Sequence, residues 1–244
     1  MMDINSDMGE INRLLNNGTY EKLMDYVTSI NVACGGHAGD ETMMAAMVAL
    51  AKDKGVNVGA HPSYPDKENF GRIDMDMDQN ELFHSVRDQI QLLVDISVEN
   101  SVELTHIKPH GALYNRAVND ECVAQTIAKA IIQVDPSLKV MGLAGSKMLT
   151  VFKKLGLDTM GEAFADRSYE LDGTLRDRKY DDALITNPDK AAFQAKNMME
   201  GTVVSFQGKE IEMNAQTICI HSDTPNAVAI AEAVREKLKV GRKK

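Results

Sequence analysis

One unit recurs along this chain: a short apolar, β-rich run, then a polar cluster containing Gly, His or Asp, then a longer segment whose apolar residues return every three or four positions. The apolar runs are MMDIN at residues 1–5, SINVAC at 29–34, VNVGA at 56–60, LTHIK at 104–108, KVMGLA at 139–144, DTMGEAF at 158–164 and TICIH at 217–221, seven in all. The helical period predicts helices over Glu41–Lys54, Asn80–Asn100, Glu121–Val134, Ser146–Leu155, Lys190–Glu200 and Pro225–Leu238. Asp40, Ser146 and Thr224 stand where N-caps belong, and Pro225 suits the first turn after Thr224. Gly55 and Gly156 are placed to end helices.

Strands and helices alternating through short links imply parallel strands with right-handed crossovers, in a barrel or an open doubly wound sheet. The barrel is favoured on two counts. Neither GxGxxG nor GxxxxGK[ST] occurs, so the commonest reasons for an open sheet are missing. Polar residues also follow nearly every apolar run, as they do when a ring of loops builds one site. The expected architecture is an α/β (β/α) barrel, a single domain over residues 1–244. Residues 202–214 break the pattern: they alternate apolar and polar about Gln207 and Gly208, which predicts a β-hairpin excursion. The loop from Pro62 to Met77 is long enough for a lid.

With 43% hydrophobic and 26% charged residues the chain has an ordinary globular composition. Its formal net charge of -9, with a basic run only at Gly241, Arg242, Lys243 and Lys244, argues against nucleic acid as a partner. MMDINSDMGE is not a basic region followed by an apolar one, and no segment approaches the ~18 apolar residues of a membrane span. A soluble, cytoplasmic protein without a membrane partner is expected. Cys34, Cys122 and Cys219 lack CxxC spacing, which suits reduced thiols better than a disulfide framework or a zinc site.

Placing each polar cluster at the carboxyl end of its strand gathers candidate chemistry around one mouth. The strands in turn supply Asn5, Asp7 and Glu10; Asn31, His37 and Asp40; His61 and Tyr64; His106, Lys108 and His110; Glu162, Asp166 and Arg167; and His221 and Asp223. Five of the six histidines fall in this register, while His84 sits in a helical segment. Asp40 serves equally well as a helix cap. Lys108 has a competing role as a salt bridge to Asp7 or Glu162 that only shapes the pocket. GGHAG (35–39) and PHG (109–111) set permissive backbone beside His37 and His110. Asp7, His37 and His61 form a candidate divalent-metal cluster, although their spacing matches no recognised zinc motif; direct acid–base and hydrogen-bonding roles are the simpler reading.

Six blocks in order resemble the LamB/YcsF family nearly end to end: DINSDMGE (3–10), SINVACGGHAGD (29–40), GAHPSYPD with FGR (59–66 and 70–72), KPHGALYN (108–115), EAFADRSYELDGTLRDR (162–178) and TICIHSDTP (217–225). The departures are Ser222 where the family has Gly in His-Gly-Asp, Glu41 in place of Pro, and residues 11–28 without the usual glycine-rich stretch.

The resemblance implies a seven-stranded (β/α) barrel of the glycoside hydrolase/deacetylase type. It also implies a part, with two other subunits, in the ATP-dependent opening of 5-oxo-L-proline to L-glutamate, ATP being a cosubstrate of the complex. Such chemistry needs a cation for transferred phosphate (Lys108 or Arg167), a general base for water (Asp7 or His61) and a clamp for the substrate carboxylate (Arg178, or the Asn5 and Asn31 amides). Asp7, His61, Lys108 and His110 are then the catalytic candidates, and Asn5, Glu10, Asn31, His37, Asp40, Asp166, Arg167, Arg178 and His221 the substrate-binding ones. A metal-dependent deacetylase or sugar-active hydrolase, and a non-catalytic subunit that presents substrate, are the alternatives.

Overall fold

In the computed structural model, which describes residues 2–241, parallel strands close into a barrel. In chain order the strands are β1 (Asp3–Met8), β2 (Ser29–Ala33), β3 (Asn57–His61), β4 (Leu104–Ile107), β5 (Lys139–Leu143), β6 (Thr159–Phe164), β7 (Thr202–Val204), β8 (Glu210–Glu212) and β9 (Thr217–Cys219). The seven barrel strands run β1-β2-β3-β4-β5-β6-β9, and β9 closes the ring by pairing Cys219 with Asn5. The remaining two, β7 and β8, form the expected antiparallel hairpin. Met1, the start of the first expected run, and the basic Arg242, Lys243 and Lys244 lie outside the described residues.

The helices are α1 (Asn12–Asn16), α2 (Thr19–Met24), α3 (Glu41–Lys54), α4 (Gln79–Glu99), α5 (Gly111–Asn119), α6 (Glu121–Val134), α7 (Lys147–Lys154), α8 (Pro188–Met199) and α9 (Ala227–Leu238). Both α3 and α6 coincide with the periodic segments, since side-chain caps fix their starts: Asp40 accepts from Met43 N at 2.8 Å, and Asp120 from Cys122 N and Val123 N. Gly55, at φ 67°, ends α3 as expected. Thr224 does not cap α9. Its hydroxyl donates to Asp166 Oδ2 at 2.6 Å, and the helix begins two residues after Pro225, behind Asn226 at φ 67°. Helices α1, α2 and α5 are additions to the expected set; they are short, and α5 opens on a glycine that sequence reads as loop.

Successive strand residues face opposite ways, so each strand has an inner and an outer row. The outer row, with Ile4, Met8, Ile30, Val32, Val58, Ala60, Ile107, Ala163 and Ile218, belongs to the hydrophobic core under the helices. The inner row is polar. Asn5 Nδ2 donates to Glu162 Oε1 (3.0 Å) and Thr217 Oγ1 (2.7 Å), and Asn31 Nδ2 to Asn5 Oδ1 (2.8 Å) and Asp7 Oδ1 (2.7 Å). His106 Nε2 meets Asn31 Oδ1 at 2.8 Å, its ring passing over Gly59, where a Cβ would lie 2.3 Å from that ring.

Lys108 closes this network. Its Nζ lies 2.9 Å from Asp7 Oδ1, 2.9 Å from Glu162 Oε1 and 3.1 Å from Cys219 Sγ, all buried. Burial works against both charges of the first pair, but each outweighs it for the other. Lys108 is held well above the usual lysine range by Asp7, Cys219 and Glu162, and Asp7 well below the usual carboxylate range by His61 and Lys108. The pocket-shaping salt bridge expected as the competing role of Lys108 is therefore present, to both carboxylates at once.

Lys108→Met should lower the unfolding free energy by about 3–5 kcal/mol, because two buried carboxylates lose their cation. Gly59→Ala should cost about 1–3 kcal/mol by driving a methyl group into the His106 ring. Urea unfolding at neutral pH reads both. A Lys108→Met midpoint equal to that of the parent would show that the network is not holding the barrel.

Candidate functional site

The loops after β1, β2 and β4 and the last residue of β3 bring Glu10, His37, His110 and His61 together at the carboxyl end of the barrel. Glu10 is positioned from below: the hydroxyl of buried Tyr20 on α2 accepts from Glu10 N at 3.1 Å and from Ile11 N at 2.9 Å. His61 Nδ1 faces the Lys108 carbonyl oxygen at 2.6 Å, and His110 Nε2 that of Phe70 at 2.9 Å. These bonds turn His61 Nε2 and His110 Nδ1 towards each other at 2.9 Å. His37 stacks on His110 with centroids 3.6 Å apart and reaches Glu10 Oε1 with Nε2 at 2.9 Å.

Two glycines let the loop over residues 62–78 come this close. A Cβ on Gly71 would fall 2.8 Å from His37 Cβ, and one on Gly111 2.4 Å from the Gly71 carbonyl oxygen; both residues have positive φ. Burial pushes His37 and His110 well below the usual imidazole range, with neighbouring rings adding to it. It also raises Glu10 above the usual carboxylate range, although the charge of His110 opposes the shift.

Asp7, Glu10, His61, Lys108 and His110 form one wall of a cavity of about 610 Å³. Another part of the lining comes from the long segment between β6 and α8, with Arg167, Asp172, Thr174, Leu175, Arg176, Asp177 and Arg178. Asp223 ties the two sides together, its Oδ2 lying 2.6 Å from Arg72 Nη2 and 3.5 Å from Arg178 Nη1. Arg167 is anchored by Nη2 to the Arg176 carbonyl oxygen at 2.6 Å. Burial, helped by Arg178, lowers Arg167 to about 10, so it stays a cation at neutral pH. Asp166 stands behind this wall and accepts from His221 N (2.9 Å), His221 Nδ1 (3.0 Å) and Thr224 Oγ1. Its burial would raise its pKa, yet the contacts with His221 and Thr224 outweigh that and lower it.

Of the residues expected at one mouth, Asp7, Glu10, His61, Lys108, His110, Arg167, Arg178, His221 and Asp223 line this cavity. Asn5, Asn31, His106 and Glu162 lie below it inside the barrel, because each stands within its strand, on the inward-facing row, and not past the strand's end. His37 and Asp166 sit one layer behind. Asp40 is exposed, caps α3 and does not line the cavity, and Tyr64 is buried away from it.

The candidate metal set changes. Asp7, His37 and His61 do not converge, because the Asp7 carboxylate is turned towards Lys108 and Asn31; Glu10, His37, His61 and His110 do converge. The lining residues not singled out from sequence include Arg72, Tyr114, Asn115, Asn119 and those from Asp172 to Asp177. Arg72, Tyr114 and Asn115 sit in FGR and KPHGALYN, and those motifs were the available signal, although a motif alone does not tell which of its side chains reach the mouth.

Comparison with known proteins agrees with this architecture. The chain is 42% identical over 240 residues to the 5-oxoprolinase A subunit of Halalkalibacterium halodurans, covering 98% of this chain and 93% of that protein. It is 43% identical over 239 residues to the 5-oxoprolinase A subunit of Bacillus subtilis, covering 98% and 93%. The crystal structure of the lactam utilization protein from Thermus thermophilus superposes with a TM-score of 0.90 at 39% identity, covering 98% of this chain and 96% of that one. With the LamB/YcsF family model matched from residue 2 to residue 243, the chain belongs to the LamB/YcsF family.

Proposed function

We propose that this protein is the barrel subunit of a cytoplasmic ATP-dependent 5-oxoprolinase, hydrolysing 5-oxo-L-proline to L-glutamate together with two other subunits. The observation that carries the reading is one cavity lined both by carboxylates and imidazoles (Asp7, Glu10, His61, His110) and by the arginines Arg72, Arg167, Arg176 and Arg178. The near full-length likeness to proteins named as the A subunit of 5-oxoprolinase supports the choice of substrate.

An unstrained lactam resists water, so its carbonyl oxygen is first phosphorylated by ATP; water then adds to the activated carbon, the ring nitrogen departs as the amine to leave an acyl phosphate, and a second water releases phosphate and forms the side-chain carboxylate. The cavity suits the later steps. Arg178, with Arg72 beside it, clamps the substrate carboxylate, and Arg167 supplies charge for the transferred phosphate. Those tasks pass to the arginines because the Asn5 and Asn31 amides are spent inside the barrel and Lys108 is engaged by Asp7, Glu162 and Cys219. Lys108 keeps Asp7 ionised, and Asp7 takes a proton from the attacking water. His61, whose Nε2 is 3.5 Å from Asp7 Oδ2, flanks that water and with His110 bounds its position.

Three outcomes test the reading on the complex reconstituted with its two partners, ATP and 5-oxoproline. The chain alone should open almost no lactam and the complex should do so readily; full turnover by the isolated chain would contradict the shared assembly. Arg178→Met should raise KM by about tenfold or more, in keeping with roughly 1.5–3 kcal/mol for a charged hydrogen bond, with a smaller change in kcat. Asp7→Asn should lower kcat by about 10²–10⁴-fold, and a folded Asp7→Asn complex with parental turnover would remove Asp7 from the chemistry.

A further inference from the structure

The tautomers of two histidines can be worked out from their neighbours. A carbonyl oxygen only accepts, so the nitrogen facing it carries the hydrogen. The Lys108 carbonyl therefore places the hydrogen of His61 on Nδ1, and the Phe70 carbonyl that of His110 on Nε2. With both rings neutral, what remains are two lone-pair nitrogens, His61 Nε2 and His110 Nδ1, facing each other at 2.9 Å. Lone pairs at that separation repel, and the arrangement calls for a positive centre shared between them.

A third donor converges on the same point. Glu10 Oε1 lies 3.3 Å from His110 Nδ1 and 3.9 Å from His61 Nε2. Ligands about 2.1 Å from a cation sit about 3.0 Å apart in octahedral and about 3.4 Å apart in tetrahedral coordination, and the three separations here bracket those values. A proton shared between the two rings would also satisfy the nitrogens and attract the carboxylate, but it sets no spacing among the three donor atoms, whereas these separations fit the edges of a coordination shell. The outer bonds also suit ligation, since imidazole ligands commonly donate their second N–H to a backbone carbonyl.

His37 is placed differently. Its Nε2 is 2.9 Å from Glu10 Oε1, while its Nδ1 is buried with no partner. Ligation through Nε2 would move the hydrogen to Nδ1 and bury a donor with nothing to accept it. With the hydrogen on Nε2, the ring donates to Glu10 and keeps that carboxylate in place.

We propose that Glu10, His61 and His110 bind one divalent first-row transition-metal ion, with His37 outside the ligand set as the group that positions Glu10. Two imidazoles and a carboxylate are a borderline nitrogen–oxygen set that suits Zn²⁺, Co²⁺, Fe²⁺ or Mn²⁺ over Mg²⁺ or Ca²⁺. The three ligands line the cavity beside Asp7, so the ion would act there as a Lewis acid on water or a carbonyl oxygen. The inference does not rest on the lactam reading, because metal uptake by the chain is measured without substrate, ATP or partners.

The experiment titrates the chelator-treated full-length chain with Zn²⁺ by calorimetry and with Co²⁺ by visible absorption. One equivalent of each should bind, with the Co²⁺ bands reporting nitrogen and oxygen ligands. Glu10→Gln and His110→Ala should each abolish stoichiometric binding; Glu10→Gln is nearly isosteric and covers the case in which His110→Ala does not fold. His37→Phe keeps the ring stack but not the donor, and should weaken Zn²⁺ by roughly 10–100-fold, the usual effect of losing an outer partner. No uptake by the parent chain would overturn the proposal and leave a shared proton between the rings. Undiminished uptake by Glu10→Gln would overturn it by placing the ion elsewhere, and complete loss in His37→Phe would overturn the three-ligand set by making His37 a ligand.

Discussion

An ammonium group inside a barrel has to be paired, and Lys108 meets that requirement with Asp7 from β1 and Glu162 from β6. Much else follows from this one contact. Glu162 draws in Asn5, Asn5 draws in Asn31, and Asn31 receives His106, so that residues from β6, β1, β2 and β4 are tied across the interior by directional bonds. Barrels of this kind usually fill their interior with branched aliphatic layers. Here the inner row is polar, and the hydrophobic stabilisation comes from the outer rows under the helices. A one-residue slip in any strand would exchange those rows, burying apolar side chains against Lys108 and turning the amides to the helices.

The same network sets the chemistry of the mouth. Lys108 lies at the end of its strand, so its side chain serves the interior while its carbonyl oxygen orients His61 above. Asp7 is shared in the same way between Lys108 below and His61 at 3.5 Å above. The interior therefore decides the charge of the group that faces the cavity. The loop over residues 62–78 adds the Phe70 carbonyl that orients His110 and the Arg72 guanidinium that meets Asp223. Imidazoles, carboxylates and arginines together make this a strongly polar cavity.

The order of strands and helices was legible in the sequence because the signals behind it are local. Alternating apolar runs and three-to-four spacing reflect backbone geometry, and caps such as Asp40 and turns such as Gly55 act within a few residues. The seven barrel strands, the hairpin about Gln207 and Gly208 and the ring of polar loops followed from these signals. Most of the mouth followed as well, since Asp7, Glu10, His61, Lys108, His110 and His221 needed only to stand at or just past the strand ends to meet.

What the sequence could not supply were relations between distant segments. Thr224 has the local look of a helix cap, yet its hydroxyl serves Asp166, 58 positions away, and the helix starts later. Asp7 has the look of a metal ligand, yet the closed barrel gives it Lys108, and Glu10 takes its place among the histidines. Asn5, Asn31 and Glu162 read as mouth residues until the closed ring shows them mid-strand, hydrogen-bonded to one another inside the barrel. The sequence by itself determined which segments become strands and helices and which loops carry the polar groups. Only the tertiary structure decided which buried charge meets which, because that choice is made when the ring closes and β9 joins β1 across more than 200 residues of chain.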